Sequence, residues 1–174
     1  MTGGCSIIAL ASTAAAAATV CTTDFLTNDV HCVTTDVDDD VDVLADSGSA
    51  TVDLADGFAG QDTVSIASVE NLVLTSGDAT ITTIADGHSG LILRTGTGTI
   101  DAAVSSVTTS GIDADAVLVE SDGDLVLAIA DEVVTLGDLS AGLNLTAASI
   151  DATVGTITTT RTARSCRPHP ARPR

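Results

Sequence analysis

Three kinds of side chain in this sequence could do chemistry: clustered aspartates, four cysteines and three histidines. The densest acidic run, Asp36-Val37-Asp38-Asp39-Asp40-Val41-Asp42, sets carboxylates at alternate positions, as a calcium loop does. Counted from Asp36, the sixth position is Val41 where such a loop needs Gly, and the twelfth is Ser47 where it needs Glu. The Gly-Gly-x-Gly-x-Asp nonapeptides of calcium-binding β-rolls are missing too. In a strand, alternate aspartates would line one solvated face, and that reading is preferred to weak calcium binding. The histidines are His31, His88 and His169, and no Gly-x-Ser-x-Gly elbow accompanies them. Ser89 follows His88 directly, but neighbours on a turn point apart. Gly96-x-Gly98 lacks the third glycine and the following helix of a dinucleotide site. Lyase chemistry on polysaccharides needs a cation beside its carboxylates, and Arg94 is the only one before residue 161. A glycosidase needs only paired carboxylates, which aspartate supplies in quantity. The expectation is no catalytic residue, no cofactor-binding residue and no metal ligand.

The cysteines are Cys5, Cys21, Cys32 and Cys166. Cys5 lies in an apolar N-terminal stretch and Cys166 in a basic C-terminal one, which leaves Cys21 and Cys32 as a pair. A bridge between them closes a loop of about 12 residues and contributes roughly 2–3 kcal/mol by the loop-entropy argument. Such a bridge implies an oxidising compartment. Zinc would need further Cys or His at ligand spacing, and His31 beside Cys32 is the sole neighbour of that kind.

These residues sit in an unusual composition. Hydrophobic residues make up 44%, yet there are two Phe, one Met, no Trp and no Tyr, so Val, Ile, Leu and Ala supply nearly all of the apolar surface. Compact cores use aromatics because each buries a large area at one position. A chain that avoids them while favouring Thr, Val, Asp and Gly suits a thin, layered interior of strands and tight turns. The net charge is −18, with 24 acidic residues against six basic ones. Such a surface repels phosphate backbones and anionic membranes, so no nucleic acid is expected as a partner.

The elements that must position these groups are repeats. The segments 82–93, 108–119 and 134–145 begin at evenly spaced positions, and a small residue followed by apolar-x-apolar recurs in them at Gly90, Ala116 and Gly142. Leu91 and Leu93, Val117 and Val119, Leu143 and Leu145 are therefore expected to point inward, with Ile92, Leu118 and Asn144 outward. Leu72 and Leu74 look like the same strand one coil earlier, which makes that coil seven residues short. Turn chemistry follows each strand at Ser76-Gly77-Asp78, Gly96-Thr97-Gly98 and Asp122-Gly123-Asp124. One such unit cannot bury its apolar edge alone, and stacked units can. The predicted fold is all-β, a right-handed parallel β-solenoid with short strands and variable turns; the alternative is an antiparallel β-sandwich. Thr95, Thr97 and Thr99 read as a Thr-x-Thr-x-Thr strand of the kind that binds ice. One repeat further on stand Ser121, Gly123 and Leu125, then Ala147, Ser149 and Asp151, so that strand starts no ladder.

Three segments follow: a signal-peptide-like stretch at 1–18, the solenoid at 19–160 and a disordered basic tail at 161–174. Residues 6–20 are apolar but, at about 15 residues, short of the roughly 20 a membrane span needs. Ala16-Ala17-Ala18 offers the small residues of a cleavage site, although Met1-Thr2-Gly3-Gly4 lacks a basic start. No integral membrane segment is expected in the mature chain. Five of the six arginines fall in 161–174, where the repeat stops and Arg/Pro-rich text begins, a change that reads as out-of-frame translation.

The stretch from Cys21 to Thr160 resembles the start of an autotransporter passenger region of bacterial outer-membrane adhesins. The residues that carry the likeness are the alanine run before Val20-Cys21-Thr22-Thr23 and coils such as Leu91-Ile92-Leu93-Arg94-Thr95-Gly96-Thr97-Gly98. The resemblance implies export by the Gram-negative outer-membrane route, a β-helical stalk, and a C-terminal barrel in the parent protein. It also implies a secreted or cell-surface location and a surface or carbohydrate ligand. The function expected is structural or adhesive, without catalysis. The alternative is a solenoid carbohydrate-active enzyme, glycosidase or polysaccharide lyase, truncated before its catalytic coils.

Overall fold

A computed structural model describes residues 19–34, 41–76 and 78–160. The segments 1–18 and 161–174, with the expectations placed on them, lie outside the described residues, as does most of the acidic run. Every element among the described residues is a β-strand, and no helix there is long and apolar enough to cross a membrane.

The strands, numbered along the chain, fall into two sheets. The smaller holds β3 (Asp42–Ala45), β6 (Val64–Ser68), β9 (Leu91–Thr95), β11 (Val117–Glu120) and β13 (Leu143–Thr146), stacked in chain order. The larger runs β1 (Val20–Thr23), β2 (Val30–Val33), β4 (Ala50–Asp53), β7 (Leu72–Thr75), β10 (Ile100–Thr109), β12 (Asp124–Thr135) and β14 (Ser149–Thr159). Two short strands, β5 (Ala59–Gly60) and β8 (Thr80–Thr83), extend the far half of that sheet beside β10. Each coil therefore climbs the small sheet, turns, crosses the large sheet and returns. All ladders are parallel except that between β1 and β2. The chain is a β-solenoid of about five turns, and the parallel ladders exclude the antiparallel sandwich.

Register confirms the repeat. Leu91 pairs with Val117 and Val117 with Leu143, while Thr82 pairs with Thr108 and Thr108 with Val134, every step being of equal length. Leu91, Leu93, Val117 and Val119 are fully buried. Leu143 and Leu145 are half-buried, because no further coil covers them among the described residues. The small residues also have a cause: a Cβ at Gly90 would stand 2.5 Å from Val107 Cγ1, and one at Gly142 2.8 Å from Ile157 Cγ2.

The structure corrects one assignment. Leu72 and Leu74 are buried as expected, but they belong to the large sheet, between Ala50 and Val52 on one side and Ile100 and Ala102 on the other. The true predecessors of Leu91 and Leu93 are Val64 and Ile66, a full coil earlier, so no coil is seven residues short there. The short step is the one from Ala50 to Leu72, and the step after it, from Leu72 to Ile100, is long. Phe58 occupies the short coil, wholly buried with its ring over Gly60, where a Cβ would meet the ring at 2.7 Å.

The return loops stack as well as the strands do. A Cβ on Gly137 would lie 1.8 Å from the carbonyl oxygen of Gly111, so successive loops touch backbone to backbone. Aspartates tie coils together: Asp86 Oδ1 accepts from the Ile112 N–H and Asp115 Oδ1 from the Ala141 N–H, both at 2.7 Å. An inward threonine closes two of these loops, Thr83 donating to the His88 carbonyl at 3.2 Å and Thr109 to the Ala114 carbonyl at 2.9 Å. At the third repeat Thr135 Oγ1 is buried without a partner among the described residues.

The same loops share a left-handed residue at Gly87 (φ 73°), Asp113 (φ 56°) and Leu139 (φ 63°). Glycine adopts this region without cost, aspartate tolerates it and leucine does not. Leu139 is 76% exposed, so its side chain returns little burial energy for the strain. Leu139→Gly is expected to raise stability by about 1 kcal/mol, net of the entropy glycine adds to the unfolded chain. Leu136→Gly serves as control, and chemical denaturation of the two variants should show a gain only for the first.

Candidate functional site

An open depression of about 490 Å³ lies on the small sheet. Its floor is the outward column Asp42, Ser65 and Ile92, which the coil register brings side by side. Its walls are Asp62 and Thr63, ahead of β6, and Gly87 and His88, ahead of β9. Two carboxylates and an imidazole thus share one hollow. The Thr63 hydroxyl donates to the Ser89 carbonyl at 2.8 Å and fixes one wall to the other. Asp42, Asp62 and His88 are all exposed, while Ser89 is buried, so His88 and Ser89 point apart. The hollow can offer hydrogen bonds and negative charge to a hydroxylated ligand.

Sequence spacing missed this grouping. Asp42, Ser65 and Ile92 are unevenly spaced along the chain, and only the correct coil register places them in one column. Of the acidic run, Asp42 is exposed between buried Val41 and Val43, the alternation expected of a strand with a solvated face. No group of three or more His, Cys, Asp or Glu side chains positioned for a metal occurs among the described residues.

The second feature is the N-terminal cap. β1 folds back antiparallel on β2, with Cys21 directly opposite Cys32, and the two are joined with a Cα–Cα distance of 4.0 Å. Cys32 is fully buried and belongs to the core, so the bridge ties the exposed strand β1 to the first coil. His31, the neighbour considered for zinc, points to the other face, where its Nε2 lies 3.0 Å from Asp53 Oδ2. The Thr75 hydroxyl also donates to Asp53. Thr75 first, and His31 second, hold the Asp53 carboxyl below its usual value. Asp29 is lowered likewise, mainly by the Ser49 backbone N–H, which it accepts at 2.8 Å, and then by Thr27.

Comparison with protein-family models, with curated proteins and with solved structures finds no match to this chain.

The two lowered carboxyls give the cap a pH dependence. The unfolded chain takes up protons near the ordinary aspartate value of about 3.9, and the folded one only below it. The stabilisation is therefore complete above that value and is lost as pH falls through the lower folded values. Hydrogen exchange between pH 5 and pH 2 should show residues 20–33 and 49–53 losing protection before β9 and β11. Asp53→Asn should flatten that pH response, and equal acid loss across all coils would contradict it.

Proposed function

We propose that this chain is a stalk or adhesive segment of a secreted or cell-surface protein of the autotransporter type, and that it does no chemistry. The observation that carries this reading is the stacking of coils among the described residues, a rod in which turn side chains are spent on holding neighbouring turns. Turn aspartates bond the backbone of the next coil, and the Arg94 guanidinium pairs with Glu120 one coil up at 2.6 Å. The bridge between Cys21 and Cys32 suits export to an oxidising compartment. A rod of this kind presents its faces and loops to a surface or glycan ligand and sets their distance from an anchor.

The carbohydrate-active alternative has one observation in its favour, the two carboxylates that share the hollow at Asp42 and Asp62. The full chain incubated with a panel of polysaccharides separates the two readings. Retention on a glycan without new reducing ends is the expected result. Reducing-end release that disappears in Asp62→Asn would overturn the stalk reading in favour of the enzyme.

A further inference from the structure

The far half of the large sheet carries an outward face that the stalk role does not use. Successive coils there are in register, so Thr80, Ser106, Glu132 and Thr156 form one outward column. Thr82, Thr108, Val134 and Thr158 form the next, two positions along each strand. Their inward neighbours Ile81, Val107 and Val133 are buried, which fixes the orientation of the face. The columns repeat about every 4.8 Å from coil to coil, and the two columns stand about 6.7 Å apart along the strands.

Two further properties distinguish this face. In a chain of net charge −18, Glu132 is the only charged residue in these columns. By contrast, Asp53, Asp101 and Asp151 stand on the near half of the same sheet, and Asp42, Arg94 and Glu120 on the small one. The column from Thr82 to Thr158 is also wholly β-branched, and β-branched side chains are stiff about χ1. Hydroxyl pairs thus stand on three of the four coils, Thr80 with Thr82, Ser106 with Thr108 and Thr156 with Thr158, while β12 presents Glu132 and Val134 between them; the stiff side chains are ordered before any ligand arrives.

The ligand must be flat, periodic and uncharged. Phosphate-bearing partners need cations that the face lacks. These columns hold no aromatic residue on which a sugar ring could stack, so the glycan contact expected of the rod falls to its other faces and loops. Of the oxygen repeats on prism planes of hexagonal ice, one is slightly shorter than the coil-to-coil spacing and the other longer than the column separation, each within about a tenth of it. We propose that this face binds ice, with ordered water as its ligand. The threonines that do so are not Thr95, Thr97 and Thr99: Thr95 faces inward, its hydroxyl 2.7 Å from Ser121 Oγ, and the other two lie in the following turn. The inference stands apart from the stalk reading, since a solenoid could bind ice in any setting.

Ice-affinity partitioning of the full chain, with recrystallisation and thermal-hysteresis assays, tests it. The wild type should enter a slowly growing ice front that excludes a control protein of similar size. Thr108→Lys puts a hydrated charge in the middle of the face and should lower partitioning by about tenfold, equivalent to about 1.4 kcal/mol. Glu132→Thr removes the one charge and should raise it. Leu118→Lys, on the other sheet, should change nothing, and thermal melts establish that each variant is folded. Exclusion of both wild type and Glu132→Thr from ice overturns the proposal. So does equal loss in Thr108→Lys and Leu118→Lys, or a Thr108-dependent dimer or polysaccharide contact in a protein that ice excludes.

Discussion

The whole structure depends on one constraint: each coil hydrogen-bonds, in register, to the coils before and after it. Because the ladders run between coils, an inward residue lies on its own counterpart one turn away. Val43, Ile66, Leu93, Val119 and Leu145 make one such column. Ser68, Thr95, Ser121 and Ala147 lie along the next inward line, where the hydroxyls of Thr95 and Ser121 bond each other out of water. Each aliphatic side chain that a column hides is worth about 1.5–3 kcal/mol. The interior is only as wide as two inward rows meeting, so it has no room for repeated aromatic rings. Phe58 enters where a short coil leaves space. Where the stacking ends among the described residues, inward positions open, with Ile150 47% and Ile157 50% exposed.

Stacking also governs how so acidic a chain holds together. Like charges directly opposite one another on adjacent strands are destabilising. In the strand registers no acidic residue lies on another: Val126 separates Asp101 from Asp151, Glu132 lies between Ser106 and Thr156, and Glu120 lies on Arg94. Many of the remaining aspartates occupy turns, where Asp29, Asp78, Asp86 and Asp115 accept backbone N–H groups from neighbouring coils. The acidity is in large part turn chemistry, and in the two outward columns of the far half it leaves Glu132 as the one charge, with Asp131 exposed beside it.

Much of the fold was legible from the sequence, and the reason is the same constraint. A constant step that preserves Gly90, Ala116 and Gly142 along with their inward pairs can arise only from coils of equal length. Period-two alternation, however, marks which residues point inward and not which sheet they point from. Leu72-Val73-Leu74 and Leu91-Ile92-Leu93 are alike in that pattern, which alone puts the first in the wrong column. The threonines at 95–99 mislead for a related reason, since a turn begins inside what reads as one strand. The hollow around Asp42, Asp62 and His88 left no local signal, because its residues meet only through coils of unequal length. The Cys21–Cys32 pair was legible by elimination, and the antiparallel hairpin that carries it was not.

Engineered cross-linking reads the register of the coils directly. Ile92 and Leu118 face outward on adjacent strands and are paired in the ladder, within the Cα separation a disulfide spans. With Cys5→Ser and Cys166→Ser in the background, Ile92→Cys with Leu118→Cys should close to a disulfide under mild oxidation. Val73→Cys with Ile92→Cys, which would be stacked if Leu72 preceded Leu91 in the same column, should remain as free thiols. Closure of the second pair and not the first would contradict this register.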